Sequence, residues 1–475
     1  MNKGAKALLP VEIADLVGEQ RRYFQSGATR EISFRREQLE KLRGMIRANQ
    51  DRITKAAYDD LRKPPFEMFA SEIAFLLAEV DFALKKLTCW TSPAKVPGPL
   101  AFIGAESRIY PEPYGVALII SPWNYPFMLL FAPLIGSIAA GNCSVLKPSE
   151  VSPHSSHTIA ELVSETFDPR YIAAVEGGME VNKPLLEQEF DYIFYTGSAV
   201  VGKEIMKAAA EHITPVTLEL GGKSPCIVDE HPRLRYAARR IAFGKWLNAG
   251  QTCIAPDYLL VHQDVKPQFL EELKKAVHSF YGSDPQRSRH YARIIDKRHF
   301  ERLSQLLGEG NIVAGGETDA EDLYIAPTII DEPGWDAPVM REEIFGPIIP
   351  VFAYRDLDEA IEVVNSRPKP LALYFFSLGK GKQQKVLREI SAGGVCINTT
   401  MLQESTQTLP FGGVGNSGMG GYHGKASFDT FTHYKGVLDQ KLSLDMMLRP
   451  PYPDSKLLNR ILQRLLLSGR KCRPR

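Results

Sequence analysis

From Gly115 onward the chain alternates short unbroken apolar runs with stretches of helical periodicity, and that alternation leaves few folds open. Val116-Ala117-Leu118-Ile119-Ile120 and Cys143-Ser144-Val145-Leu146-Lys147 read as strands covered on both faces, with a buried helix between them over residues 126–140. A helix around residues 159–167, strands at Ala173-Ala174-Val175 and over residues 192–195, and a helix over residues 200–210 repeat the unit. Such an order predicts an α/β fold with a parallel, doubly wound sheet, whose ligands sit beyond the carboxyl ends of the strands.

Three polar clusters fall at those ends. Ser121-Pro122-Trp123-Asn124-Tyr125-Pro126 follows the first strand and Lys147-Pro148-Ser149-Glu150 the second. Thr196-Gly197-Ser198-Ala199-Val200-Val201-Gly202-Lys203 follows a later one and opens a helix, where free N–H groups and the helix dipole favour a phosphate. It has two glycines, Gly197 and Gly202, and lacks the third of the usual dinucleotide pattern, so a plain strand-to-helix turn reads equally well.

A second α/β stretch begins near Leu220. Ile227-Val228, Leu259-Leu260-Val261, Pro350-Val351-Phe352 and Gly394-Val395-Cys396-Ile397 read as strands, with helices over residues 234–247, 267–281 and 357–365. Residues 10–87 are helical by their three-and-four spacing, punctuated by Ser33 and Pro64-Pro65, and the Pro- and Gly-rich residues 93–110 read as an excursion ending in a short extended run. At 475 residues the chain is expected to hold two or three domains. Its net charge of +1 provides no global field for nucleic acid, which points to a small-molecule ligand.

Six scattered cysteines without C-x-x-C spacing indicate neither a metal site nor a disulfide framework. The N-terminal residues lack the apolar stretch of a signal peptide, and no apolar run approaches a membrane span. A reducing, cytoplasmic setting is expected, and it would keep a reactive thiol available.

Between residues 216 and 253 lie the two groups that suggest chemistry. Glu219, in Thr217-Leu218-Glu219-Leu220-Gly221-Gly222-Lys223, is a carboxylate at a strand end; Cys253, in Asn248-Ala249-Gly250-Gln251-Thr252-Cys253, is a thiol in a glycine loop. Together they suggest a covalent nucleophile and a base facing each other across a cleft between domains. Each alone reads more simply, Cys253 as an inert core cysteine and Glu219 as an ordinary strand-end charge.

Taken in order, these strings resemble the aldehyde dehydrogenase superfamily: Pro122-Trp123-Asn124, Lys147-Pro148-Ser149-Glu150, Thr196-Gly197-Ser198 with Gly202, Leu218-Glu219-Leu220-Gly221-Gly222-Lys223, Gly250-Gln251-Thr252-Cys253, Glu342-Glu343-Ile344-Phe345-Gly346-Pro347 and Pro410-Phe411-Gly412-Gly413. Cys253-Ile254-Ala255-Pro256-Asp257-Tyr258 and Tyr422-His423-Gly424-Lys425 make the chain similar to the class-three branch, with its fatty, aromatic and coniferyl-type aldehyde dehydrogenases.

The resemblance implies an NAD(P)-binding domain from residues 1–92 and 111–219, a catalytic domain over residues 220–415, an oligomerisation element from residues 93–110 and 416–440, and a tail over residues 441–475. It implies that Cys253 attacks the aldehyde carbon, that Asn124 and the Cys253 N–H hold the oxyanion, and that Glu219 is the base that hydrolyses the thioester. Trp123, Lys147, Glu150, Gly197, Ser198, Gly202, Glu343 and Phe345 are the implied contacts of NAD or NADP. Glu150 favours a ribose hydroxyl and Lys147 a 2′-phosphate, so use of both cofactors is expected.

The resemblance also implies a homodimer. Residues 398–408 depart from the Asn-Asp and His that close relatives commonly carry, which bears on the shape of the aldehyde pocket. In the tail, Leu457, Leu458, Ile461, Leu462, Leu465 and Leu466 form a stripe opposite Lys456, Arg460 and Arg464. Such a helix packs on protein, or it lies peripherally on an anionic membrane.

Against aldehyde oxidation stand three other readings. A coenzyme A-acylating dehydrogenase would waste Glu219; a silent binding protein on the same fold would have no need of Cys253, Glu219 and Asn124 together; a cysteine protease would need a His partner that no motif supplies.

Overall fold

The computed structural model describes residues 9–98, 105–308 and 310–440, with Lys456, Arg460, Gln463 and Arg464. The leucine stripe of the tail lies outside the described residues, as do residues 99–104 of the expected excursion.

Five helices come first: α1 (Pro10–Gln25), α2 (Ile32–Ala48), α3 (Gln50–Leu61), α4 (Pro65–Met68) and α5 (Ala74–Thr91). Pro65 opens α4, where its missing N–H costs no hydrogen bond. Ser33 does not start α2; the helix begins one residue earlier behind Glu31. Between α4 and α5 the chain makes a five-residue π-turn, Phe69–Ile73, which no periodicity announced.

After the antiparallel pair β1 (Ala94–Val96) and β2 (Ala105–Pro113) come the alternating units: β3 (Val116–Ile120), α6 (Met128–Ala140), β4 (Cys143–Lys147), α7 (Pro153–Thr166), β5 (Ile172–Ala174), α8 (Met179–Leu186), β6 (Tyr192–Gly197), α9 (Ala199–Glu211) and β7 (Val216–Leu220). The strands run parallel in the order β7-β6-β3-β4-β5. Every residue of α6 is buried, as its unbroken apolar sequence requires.

Between Leu220 and Pro225 the chain passes to a second sheet. Its elements are β8 (Pro225–Val228), α10 (Leu234–Trp246), β9 (Tyr258–His262), β10 (Asn311–Ala314), a two-stranded ribbon of β11 (Thr318–Asp319) and β12 (Tyr324–Ile325), β13 (Thr328–Asp331), β14 (Ile348–Tyr354), β15 (Ala372–Phe376) and β16 (Gly394–Ile397). The seven strands of this sheet follow the order β10-β13-β14-β9-β8-β15-β16. β15 is fully buried between β8 and β16, an inner strand that the sequence reading passed over behind its proline-rich approach.

The chain then returns to the first sheet. β17 (Gly418–Met419) pairs antiparallel with β7, setting Gly418 opposite Glu219. β18 (Thr432–Gln440) pairs with β2 along its whole length to complete a three-stranded arm. No helix among the described residues is long and apolar enough to cross a membrane.

Candidate active site

A cleft of about 240 Å³ opens where the carboxyl end of the first sheet meets the second, and Asn124, Glu219, Cys253 and Glu343 line it. Trp123, Gly197, Ser198 and Phe345 border the same space.

The loop carrying Cys253 is built from unusual backbone. Beyond α10, Asn248, Ala249 and Gly250 all take left-handed conformations, with φ of 51°, 50° and 75°. A side chain on Gly250 would run into the Gly346 carbonyl, so this glycine admits the loop that bears Glu343 and Phe345. Gln251, fully buried, donates to the carbonyls of Asn248 (3.0 Å) and Arg293 (2.9 Å) and accepts from the Ile295 N–H (3.0 Å), which fixes the loop from below.

Asn124 is tied to the same loop. Its side-chain amide donates to the Gln251 carbonyl at 3.1 Å, leaving one N–H for another acceptor, while its own carbonyl accepts from Asn248 at 3.0 Å. Among the described residues the Cys253 N–H has no hydrogen-bond acceptor in another residue.

Four acidic or weakly acidic groups crowd together here. Burial pushes the Cys253 thiol well up, and Glu404, Glu343 and Glu219 push it further. Glu219, 2% exposed on β7, has no partner for either carboxyl oxygen among the described residues; burial, then Glu404, holds its carboxyl well above the usual range. Burial raises Glu343 to about 8, with Asp257 adding to it. The Glu343 carboxyl lies where a side chain on Gly221 would stand, so that glycine makes its position available.

Glu404 was not singled out from sequence. Burial lifts its carboxyl to about 7, and it lines a second cavity, of about 490 Å³, with Phe75, Tyr125, Met128, Leu247, Phe280 and Met401. Met401, Leu402 and Ser405 of the divergent segment 398–408 stand in the same wall. Asn124 and Tyr125 are consecutive yet border different cavities, so their turn forms part of the partition between cleft and apolar chamber. Nothing in the spacing of residues 398–408 could have pointed to Glu404, because a loop carries no period.

Thr196, Gly197 and Ser198 bring the start of α9 to the cleft. Ser198 flanks α9 and accepts from the Val201 N–H, while Val200 and Val201 in the first turn are 75% and 47% exposed. The buried Thr196 hydroxyl has no partner among the described residues. Free helix N–H groups, an unpaired hydroxyl and bare apolar surface fit a phosphate with a ring beside it. Trp123 meets Phe345 edge-on at 5.4 Å and His299 at 5.1 Å, forming an aromatic wall.

Three expected contacts do not line the cleft. Lys147, at the end of β4, donates to Glu150 at 3.2 Å and to the Pro148 carbonyl at 2.7 Å. Gly202 lies against Leu220, where its lack of a side chain lets α9 sit close to β7.

Two mostly parallel sheets, with a thiol, a side-chain amide and several carboxyls lining the cleft between them, fit an oxidoreductase able to work through a cysteine adduct. The chain belongs to the aldehyde dehydrogenase family, whose model matches residues 10–437. It is 48% identical over 437 residues to the 4,4′-diaponeurosporen-aldehyde dehydrogenase of Staphylococcus aureus, covering 91% of this chain and 95% of that one. To the dimeric NADP-preferring aldehyde dehydrogenase of Mus musculus it is 46% identical over 443 residues, covering 93% and 98%. The substrate-bound state of Staphylococcus aureus AldH superposes with a TM-score of 0.93 at 46% identity, covering 95% of this chain and 99% of that one. The protein is an NAD(P)-dependent aldehyde dehydrogenase of the class-three type.

Proposed function

We propose that this enzyme oxidises aldehydes with medium or long aliphatic, or aromatic, chains, using Cys253 as nucleophile, Asn124 as oxyanion holder and Glu219 as base. One observation carries the reading: Cys253 lines the cleft, and the Asn124-Tyr125 turn parts that cleft from a chamber of about 490 Å³ walled mainly by apolar and aromatic residues. An aldehyde whose tail fills that chamber presents its carbonyl to the thiol.

Cys253 loses its proton to a neighbouring carboxylate and bonds to the carbonyl carbon. The unused N–H of the Asn124 amide and the Cys253 N–H stabilise the oxyanion. A bound nicotinamide supplies the hydride acceptor. Glu219 then takes a proton from water as it adds to the thioester, releasing the carboxylic acid and the thiol. Glu343 holds the nicotinamide side of the cleft and is the second carboxyl able to share that proton. A coenzyme A-acylating role is disfavoured, since a base beside the thioester serves water rather than a thiol.

For the cofactor, Trp123, Gly197, Ser198 and Phe345 form the inner wall, and the Lys147–Glu150 pair with Gly202 forms the outer binding region, where either NAD or NADP is accepted. The arm of β1, β2 and β18 is the proposed dimer element, in keeping with the relative named as dimeric. The basic tail, in which Lys456, Arg460 and Arg464 are helical, is a proposed peripheral membrane contact; unchanged liposome binding after removal of the residues beyond Tyr452 would refute it.

The test is NAD and NADP reduction with short aliphatic, long aliphatic and aromatic aldehydes. Cys253→Ala is expected to abolish turnover, while Glu219→Gln keeps a single-turnover burst and loses about 100-fold in the steady state. Equal activity without Cys253 would mean another nucleophile.

A further inference from the structure

Beneath the partition lies an ion pair that the chemistry does not use directly. Lys63 and Glu72 are both 0% exposed, and the Lys63 ammonium donates to Glu72 at 2.6 Å. The same ammonium donates to the Asn124 carbonyl at 2.8 Å and sits 4.0 Å over the Tyr125 ring. The other oxygen of Glu72 accepts from the N–H groups of Phe127 and Met128, both at 3.0 Å, at the start of α6.

One pair therefore grips both ends of the turn that carries Asn124. At its beginning the Asn124 carbonyl is saturated, with Lys63 and Asn248 as its two donors. At its end a carboxylate satisfies two helix N–H groups that α6 itself leaves without partners. Glu72 belongs to the π-turn Phe69–Ile73, whose extra residue shifts the helix register there, and such turns recur at functional sites. Isolated charges are expensive to bury, so a fully buried pair committed to three backbone groups is weak evidence for stability and better evidence for a fixed geometry.

We infer that Lys63 and Glu72 are positioning residues for the reaction, holding the Asn124 peptide so that its side-chain amide points at the oxyanion beside Cys253. The inference rests on the proposed role of Asn124.

The test combines the double variant Lys63→Met/Glu72→Gln, which removes both charges together, with Asn124→Ala, using hexanal and NADP. The double variant is expected to keep cofactor affinity and the rate of Cys253 alkylation by iodoacetamide within about twofold, since neither depends on Asn124, yet to lose about 100-fold in the burst of NADPH formation. In the Asn124→Ala background it is expected to slow the burst by less than about twofold more, because both changes remove one interaction. Glu72→Gln alone, nearly isosteric, is expected to lose about tenfold and serves if the double variant does not bind cofactor.

A wild-type burst in the charge-free variant, or losses that multiply with Asn124→Ala, overturns the inference while leaving Asn124 in place. A wild-type burst in Asn124→Ala itself overturns the reading of Asn124, and the inference with it.

Discussion

The Tyr125 hydroxyl lies 2.8 Å from the Thr252 hydroxyl, both buried, and this bond joins the partition turn to the Cys253 loop. The Asn124 amide joins the same two segments at 3.1 Å through Gln251. Removing the first link with Tyr125→Phe keeps the ring and strands the Thr252 hydroxyl. Stability to urea is expected to fall by about 1–2 kcal/mol, while KM for a long aldehyde stays near its wild-type value.

Gly221→Ala sets a methyl group where the Glu343 carboxyl now lies. Because the obstacle is the end of a side chain, the protein is expected to fold with stability changed by less than about 1 kcal/mol. Glu343 must move, so KM for NAD(P) is expected to rise about tenfold, read from initial rates at saturating aldehyde. An unchanged KM would detach Glu343 from the cofactor.

Activity is expected to climb with pH between about 6 and 9. In the proposed mechanism Cys253 gives its proton to an ionised carboxylate, and the candidates around it, Glu404 at about 7 and Glu343 at about 8, ionise in that window. The two titrate as a coupled set together with Glu219. Glu404→Gln is expected to remove the lower part of the rise in kcat/KM and leave the upper; an unaltered profile would show that Glu404 takes no part.

Glu79 provides a stability test away from the chemistry. It is 2% exposed, accepts from the Gly424 N–H at 3.1 Å, and is raised by burial from 4.5 to about 7. Its neighbour His423, 3.9 Å away, is held neutral by burial, which lowers it to about 3. The folded protein thus binds this proton more tightly than the unfolded chain, so the stability it contributes is present below 4.5 and lost as pH rises through 7. That difference is worth about 3 kcal/mol. Glu79→Gln is expected to unfold at higher urea than the wild type at pH 8 and at similar urea at pH 5.

The sequence by itself determined much of the local structure and brought forward the candidate reacting groups. Val116–Ile120, Cys143–Lys147, Gly394–Ile397 and Leu357–Asn365 stand at the boundaries read from their periodicity, because burial of one face or both is written along the chain at a fixed period. Glu219 stood out as a carboxyl near a strand end and Cys253 as a thiol in a glycine loop, while Phe345 and Asn124 stood out through motif order. The tertiary structure alone decided what those groups touch. Gly250 is required by the Gly346 carbonyl, nearly a hundred residues away, Glu404 reaches the thiol's neighbourhood from an aperiodic loop, and Lys63 meets Glu72 within a π-turn that no periodicity announced. Each of those depends on how two sheets and a helical layer close on one another, and long-range packing leaves no period in the sequence to read.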